Sequence, residues 1–160
     1  MAESMASLVW SDAITADAHA IRAEVEGHLT GLGVPGRLEL TGAASLPGVL
    51  TKGDIDLHLR VTGQAAFPGV VEQLGDLFRP ASPAAWAETL AVFEVPGRRP
   101  IGLAVTPVDS EHDHRFRRCW TRLREEPLLV SEYNAMKRTS FGGPSYEGRK
   151  ADFFDRIARE

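Results

Sequence analysis

Asp54 and Asp56 stand one residue apart in GDIDLHLRV, the run from Gly53 to Val61. In an extended strand, residues two apart point to one face, about 7 Å apart along the chain. The two carboxylates therefore share a face. Aspartate is depleted in strands, and neighbouring carboxylates repel, the more so when partly buried. A hard divalent cation removes that repulsion. Magnesium takes one or two carboxylates and completes its shell with water and phosphate oxygens. The preceding segment supplies the complement. Gly42, Ala43 and Ala44 are small enough to let a ligand approach the backbone. Successive N–H groups in such a turn cradle phosphate, and Lys52 adds a positive charge. The same alternation also describes the solvent face of an amphipathic strand, with His58 and Arg60 balancing Asp54 and Asp56.

Other chemistry-bearing residues fall into weaker patterns. His112 and His114 in EHDH do not share a helical face. That run reads as a solvated helix start, where acidic residues suit the helix dipole. Lys137 follows Tyr133 by four residues, and Lys150 follows Tyr146 by four. Each pair shares a helical face. They read either as ordinary helix surface or as two lysines aimed at an acidic ligand. Phe116 and Trp120 at helical spacing read as core. Cys119 has no neighbouring His or Cys to make it a nucleophile.

The elements that must position these residues follow from hydrophobic periodicity. Ile14, Ala18, Ile21, Val25, Leu29 and Leu32 recur at helical spacing, with Ser11 or Asp12 as a cap and Gly33 past the end. A short strand follows from about Arg37 to Thr41, then a loop from Gly42 to Gly53. Ile55, Leu57, Leu59 and Val61 alternate with polar residues at a period of two. FPGVVEQLGDLF reads as a second helix, ended by RPASP. TLAVFEV and IGLAVTPV read as strands joined by a turn at Pro96 and Gly97. From His112 onward the pattern is helical, broken at Pro127 and at Phe141–Ser145. This order predicts an α/β (α+β) fold, a short mixed β-sheet with helices packed on it and C-terminal helices, as one domain over residues 1–160.

Composition narrows the function. The 160 residues carry a net charge of −4, with 43% hydrophobic and 25% charged residues. Broad nucleic-acid binding normally needs a basic face, so it is disfavoured. A single cysteine excludes an internal disulfide and suits a reducing compartment. The opening MAESMASLVWSDA lacks the basic and apolar regions of a secretory signal, and no apolar run approaches a membrane span. The expectation is a cytoplasmic protein without a membrane partner.

GAASLPGVLTKGDIDL resembles the GrpB family (UPF0157), which lies within the nucleotidyltransferase superfamily that includes DNA polymerase β. Gly42, Ser45, Pro47, Gly48, Lys52 and Asp56 carry the resemblance. Leu123, Arg124, Pro127, Tyr133 and Lys137 match a second family pattern, and Tyr146, Lys150 and Phe153 a third. The sequence departs from the family at several places. Ala43 stands where the family has serine, Gly53 where it has proline, and Asp54 where it has a hydrophobic residue. GLAV, Gly102–Val105, replaces a strand with two histidines, and Cys119 and Trp120 replace a Phe-Arg pair. Asp54 restores the two-carboxylate motif of the wider superfamily.

The resemblance implies a nucleotidyltransferase-like fold and metal-dependent transfer of a nucleotidyl group from a nucleoside triphosphate to an unknown acceptor. In it, Asp54 and Asp56 hold magnesium and Gly42, Ala43, Ala44 and Ser45 meet the phosphates. Lys52, Lys137 and Lys150 supply positive charge. Such transfer usually needs a third carboxylate on a neighbouring strand, acting on the metal or as base. Glu94 in VFEV has the setting, with Asp109 just beyond the next strand, although Glu94 also reads as an exposed strand residue. The alternative is a catalytically inactive member of the fold that binds a nucleotide or metabolite or assists a partner protein. Loss of the serine and of both histidines favours that alternative; the presence of both aspartates favours the enzyme.

Overall fold

The computed structural model describes residues 7–160; the first six residues of the opening segment, read above as unlike a secretory signal, lie outside them. In chain order the elements are β1 (Val9–Trp10), α1 (Thr15–Gly31), β2 (Arg37–Thr41), β3 (Leu50–Thr51), β4 (Ile55–Val61), α2 (Phe67–Gly75), β5 (Arg79–Pro80), β6 (Ala91–Val95), β7 (Ile101–Pro107), α3 (Glu111–Glu125), α4 (Pro127–Ser140) and α5 (Tyr146–Arg159). Five strands form a mixed sheet in the order β2-β4-β7-β6-β5. Only the central pair β4 and β7 runs parallel. β1 and β3 pair separately as a small ribbon.

One sheet face is apolar because β4 alternates. Ile55, Leu57, Leu59 and Val61 are almost wholly buried against Ala18, Ile21 and Val25 of α1 and Val70 and Leu74 of α2. Burying each side chain of this size contributes about 1.5–3 kcal/mol. The C-terminal helices gather a second cluster around Leu123, Tyr133, Phe153 and Ile157, which also receives Ala43, Leu46 and Val49 from the segment before β4. α3 starts where the Ser110 hydroxyl accepts the Asp113 N–H. α4 starts at Pro127, whose fixed φ suits a first helical turn.

Several local expectations are corrected. The polar face of β4 is not a solvent face, since α3 and α5 cover it: His58 is 2% exposed, and Asp56 and Arg60 are half-buried. Ser11 and Asp12 do not cap α1. The Ser11 hydroxyl donates to the Leu46 carbonyl (2.6 Å) and accepts from the Val49 N–H (3.0 Å), while Asp12 accepts from the Gly48 N–H (2.9 Å). Both residues tether the segment before β4 instead. The loop from Gly42 to Gly53 contains β3 and a 3-10 turn at Ala43–Ser45. α2 ends at Gly75, earlier than its apolar run, because Phe78 is drawn into the core and Arg79–Pro80 joins the sheet edge. No helix among the described residues is long and apolar enough to cross a membrane.

Candidate active site

Asp54 precedes β4 and Asp56 is its second residue, so the carboxylates flank the start of the strand. They line one narrow recess of about 40 Å³, together with Ala43, Lys52, Tyr133, Lys137, Tyr146 and Lys150. Three separate parts of the sequence meet there. The segment before β4 supplies Lys52, whose Nζ lies 3.8 Å from the Asp54 carboxylate. α4 supplies Lys137 and α5 supplies Lys150.

α4 is fastened to that segment by its own side chains. Asn134 accepts from the Leu50 N–H and donates to the Gly48 carbonyl, both at 2.9 Å. Lys137 Nζ donates to the Leu50 carbonyl at 2.5 Å and sits 4.2 Å from the centre of the Tyr133 ring. Tyr133 in turn stacks on Phe153 of α5 at 5.1 Å. The contacts that pack the helices are thus the same ones that deliver two lysines to two aspartates.

The electrostatics of the recess are unusual. Among the described residues nothing donates a hydrogen bond to either oxygen of Asp56. Burial first, and the Asp54 charge second, push its pKa up to about 6, against the pull of Lys150, Lys52 and Lys137. Burial, with Lys150 adding to it, brings Lys137 down to about 8. Burial raises the Tyr146 phenol to about 12, so it remains a neutral hydroxyl at the rim. A half-buried carboxylate without donors is costly as an anion, and it gains from a bound cation.

The small-residue segment takes specific positions. Gly42 has φ +73°, and a Cβ there would overlap the Asp56 carboxylate, so its freedom serves close approach to Asp56 itself. Ala43 lines the recess, Ala44 is buried in the sheet core, and the Ser45 hydroxyl donates to the Gly42 carbonyl at 2.7 Å. Ala43 is thus the residue of this turn that faces the carboxylates.

Glu94 lies elsewhere. It pairs in register with Gly102, which pairs with Asp56. Glu94 is therefore two strands from Asp56, about 10 Å across the sheet. Its carboxylate meets exposed Arg79 at 3.1 Å. The β7 position beside Asp56 belongs to Gly102 and carries no side chain. Asp109 is exposed beyond the far end of β7, where its N–H donates to Asp113. Among the described residues no group of three or more His, Cys, Asp or Glu side chains gathers as a cation site. Two carboxylates with oxygens from a phosphate ligand and water still suit magnesium.

Two expectations about neighbouring residues change, and the reading of Cys119 as no nucleophile is kept. Asp113 is not a solvated helix-start residue: it is fully buried, and both its oxygens accept from Arg60, at 2.7 and 3.0 Å. Phe116 and Trp120 are half-buried cleft walls, Trp120 with its other side packed on the second core cluster. Cys119 is buried, and burial raises its pKa, which keeps it a thiol. Sequence reasoning missed Asn134 and the wall residues Trp120 and Phe116. The pattern Tyr133, Asn134, Lys137 on one helical face is a signal for the first. Nothing in spacing distinguishes an aromatic in a cleft from one in a core.

A mixed sheet with two aspartates at the start of a central strand, helices on both faces and lysines above the aspartates is a nucleotidyltransferase-like fold. The model of the GrpB protein family matches residues 7–160, and the chain belongs to the GrpB family. The crystal structure of the conserved protein GrpB from Enterococcus faecalis superposes with a TM-score of 0.66 at 12% identity, covering 89% of this chain and 93% of that one. A search of curated proteins found no match.

Proposed function

We propose that the recess binds a nucleoside triphosphate with magnesium and serves transfer of its nucleotidyl group to an acceptor. The observation that carries this reading is the half-buried Asp56, without a hydrogen-bond donor, beside Asp54 and faced by three lysines from three segments. Asp54 and Asp56 would hold the metal, which when bound neutralises charge on the phosphates. Lys52, Lys137 and Lys150 place ammonium groups where phosphate oxygens arrive, and Lys137 is pre-positioned by its bond to Leu50.

A second reading, a non-catalytic nucleotide-binding module, is favoured by one observation. The β7 position next to Asp56 is Gly102, and Glu94 is engaged with Arg79, so among the described residues no side chain beside the aspartates takes a third carboxylate's part. Calorimetric titration with magnesium and ATP tests the shared part of both readings. Binding is expected, and Asp56→Asn is expected to abolish it; equal binding by wild type and variant overturns both. Pyrophosphate release with added acceptors then separates enzyme from module.

A further inference from the structure

A second cleft opens beside the recess, between the β4–β7 face and the helices α3 and α5. It measures about 510 Å³, within the usual range for a small-molecule site. Its floor exists because of two residues. Gly102 and Ala104 are successive same-face positions of β7, in register with Asp56 and His58. Larger side chains at these positions would fill the space under α3. The walls are Phe116, Trp120 and Phe154, with Trp120 held at 5.2 Å from Phe154. Aromatic and small apolar groups thus make up the floor and walls, Arg115 and Glu147 add one charge of each sign, and Asp56 and Lys150 line both the cleft and the recess.

Toward the free edge of β2 the character changes. Thr41, His58, Phe116 and Trp120 also line a groove of about 440 Å³ that wraps the free edge of β2. That groove holds Arg22, Arg37, Arg117 and Arg124 against a single carboxylate, Glu39. Arg22 is taken by Glu26 and Arg37 lies near Glu39. Arg117 and Arg124 pair with no carboxylate among the described residues. On a chain of net charge −4, two uncompensated arginines at the mouth of an aromatic cleft mark a place for an anion.

We propose that this cleft is the acceptor site, and that the acceptor is a small molecule with a planar, apolar body and an anionic group, such as an aryl phosphate or carboxylate. The body lies on Gly102 and Ala104 against Trp120 and Phe116. The anionic group faces Arg117 and Arg124. A hydroxyl on the body reaches Asp56, which lines the same cleft; in transfer its oxygen would bond to the α-phosphorus of the nucleotide, the bond to pyrophosphate would break with pyrophosphate leaving, and the hydroxyl proton would pass to solvent. The word acceptor rests on the nucleotide reading above; the binding itself does not, and it is tested without metal or nucleotide.

The probe is 1-naphthyl phosphate, titrated by calorimetry and by fluorescence of Trp120 in a Trp10→Phe, Trp86→Phe background. Saturable binding with quenching of Trp120 is expected. Ala104→Leu fills the floor and is expected to remove binding. The double variant Arg117→Gln, Arg124→Gln leaves the floor intact and is expected to weaken binding at least tenfold, while neutral 1-naphthol should bind both proteins alike. No saturable binding, or binding unchanged in both Ala104→Leu and the arginine variant, overturns it. If Ala104→Leu weakens magnesium–ATP as much as it weakens the probe, the cleft holds the nucleotide's own base and the acceptor assignment is overturned.

Discussion

Asp56 and Arg60 share one face of one strand, one turn of alternation either side of His58, yet their surroundings differ completely. Arg60 is held by both oxygens of Asp113, whose second oxygen also accepts the Asp109 N–H at 2.8 Å. His58 completes that cluster by its bond to Thr106 (2.8 Å) and its edge contact with Phe116. Burial alone would raise the Asp113 pKa, but Arg60 and the Asp109 N–H hold it below the ordinary carboxylate range. At Asp56 burial goes uncompensated, and the pKa rises. The lesson is that partial burial of charge on this face has two outcomes. One end of β4 spends its polar groups on each other and fixes α3 on the sheet. The other end leaves them open to a ligand.

Breaking the paired end should have the largest effect. Arg60→Ala leaves the Asp113 carboxylate buried and unpaired and is expected to cost about 3–5 kcal/mol of stability, read from urea unfolding. Nucleotide binding per folded molecule should persist.

Breaking the open end should do the reverse. A carboxyl whose folded pKa is raised contributes stability that is present below its unfolded value near 3.9 and lost as pH rises through about 6. Asp56→Asn should therefore be more stable than wild type at pH 8, by about 1–3 kcal/mol, and the difference should vanish near pH 4. His58 has the opposite sign. Burial pushes it down to about 4, so its contribution is present above its unfolded value near 6.5 and lost as pH falls toward 4. A stability profile of His58→Gln that keeps the full wild-type loss between those values would refute this assignment.

Lys137→Met tests the contact between α4 and the aspartates. Magnesium–ATP binding is expected to weaken about tenfold, or roughly 1.4 kcal/mol, with stability changed by under about 1 kcal/mol, since the lost bond to Leu50 is offset by relief of a buried ammonium. Wild-type affinity for magnesium–ATP should itself rise from pH 5 to 7 as Asp56 loses its proton, and fall above pH 8 as Lys137 loses its own. Ala43→Ser restores a hydroxyl facing the recess and should tighten triphosphate binding by about 1 kcal/mol. Glu94→Gln should be the smallest change. Loss of an exposed pair with Arg79 is worth under about 0.5 kcal/mol, and nucleotide binding should not move.

Local chemistry in the sequence was enough for the elements themselves. The period-two alternation from Ile55 to Val61 set the core face of β4, Pro127 and the Gly142–Gly143 break set the helix ends, and the match of Lys137 and Lys150 to a family pattern placed both lysines toward Asp56. The short pairings of Val9–Trp10 and Arg79–Pro80 were not legible, because two-residue strands carry no period. Neither was the fate of Asp113, whose partner lies 53 residues away on a strand.

By itself, then, the sequence determined which residues alternate, where the C-terminal helices break, and that two aspartates follow a small-residue turn. Only the tertiary structure decided what covers each face. It closed α3 and α5 over the polar side of β4, turned an apparent solvent face into an ion pair and a recess, removed Glu94 by two strands, and opened a cleft above Gly102 and Ala104. The physical reason is that alternation fixes the direction of a side chain relative to its own strand, whereas burial, pKa and partner are set by groups that arrive from elsewhere in the chain.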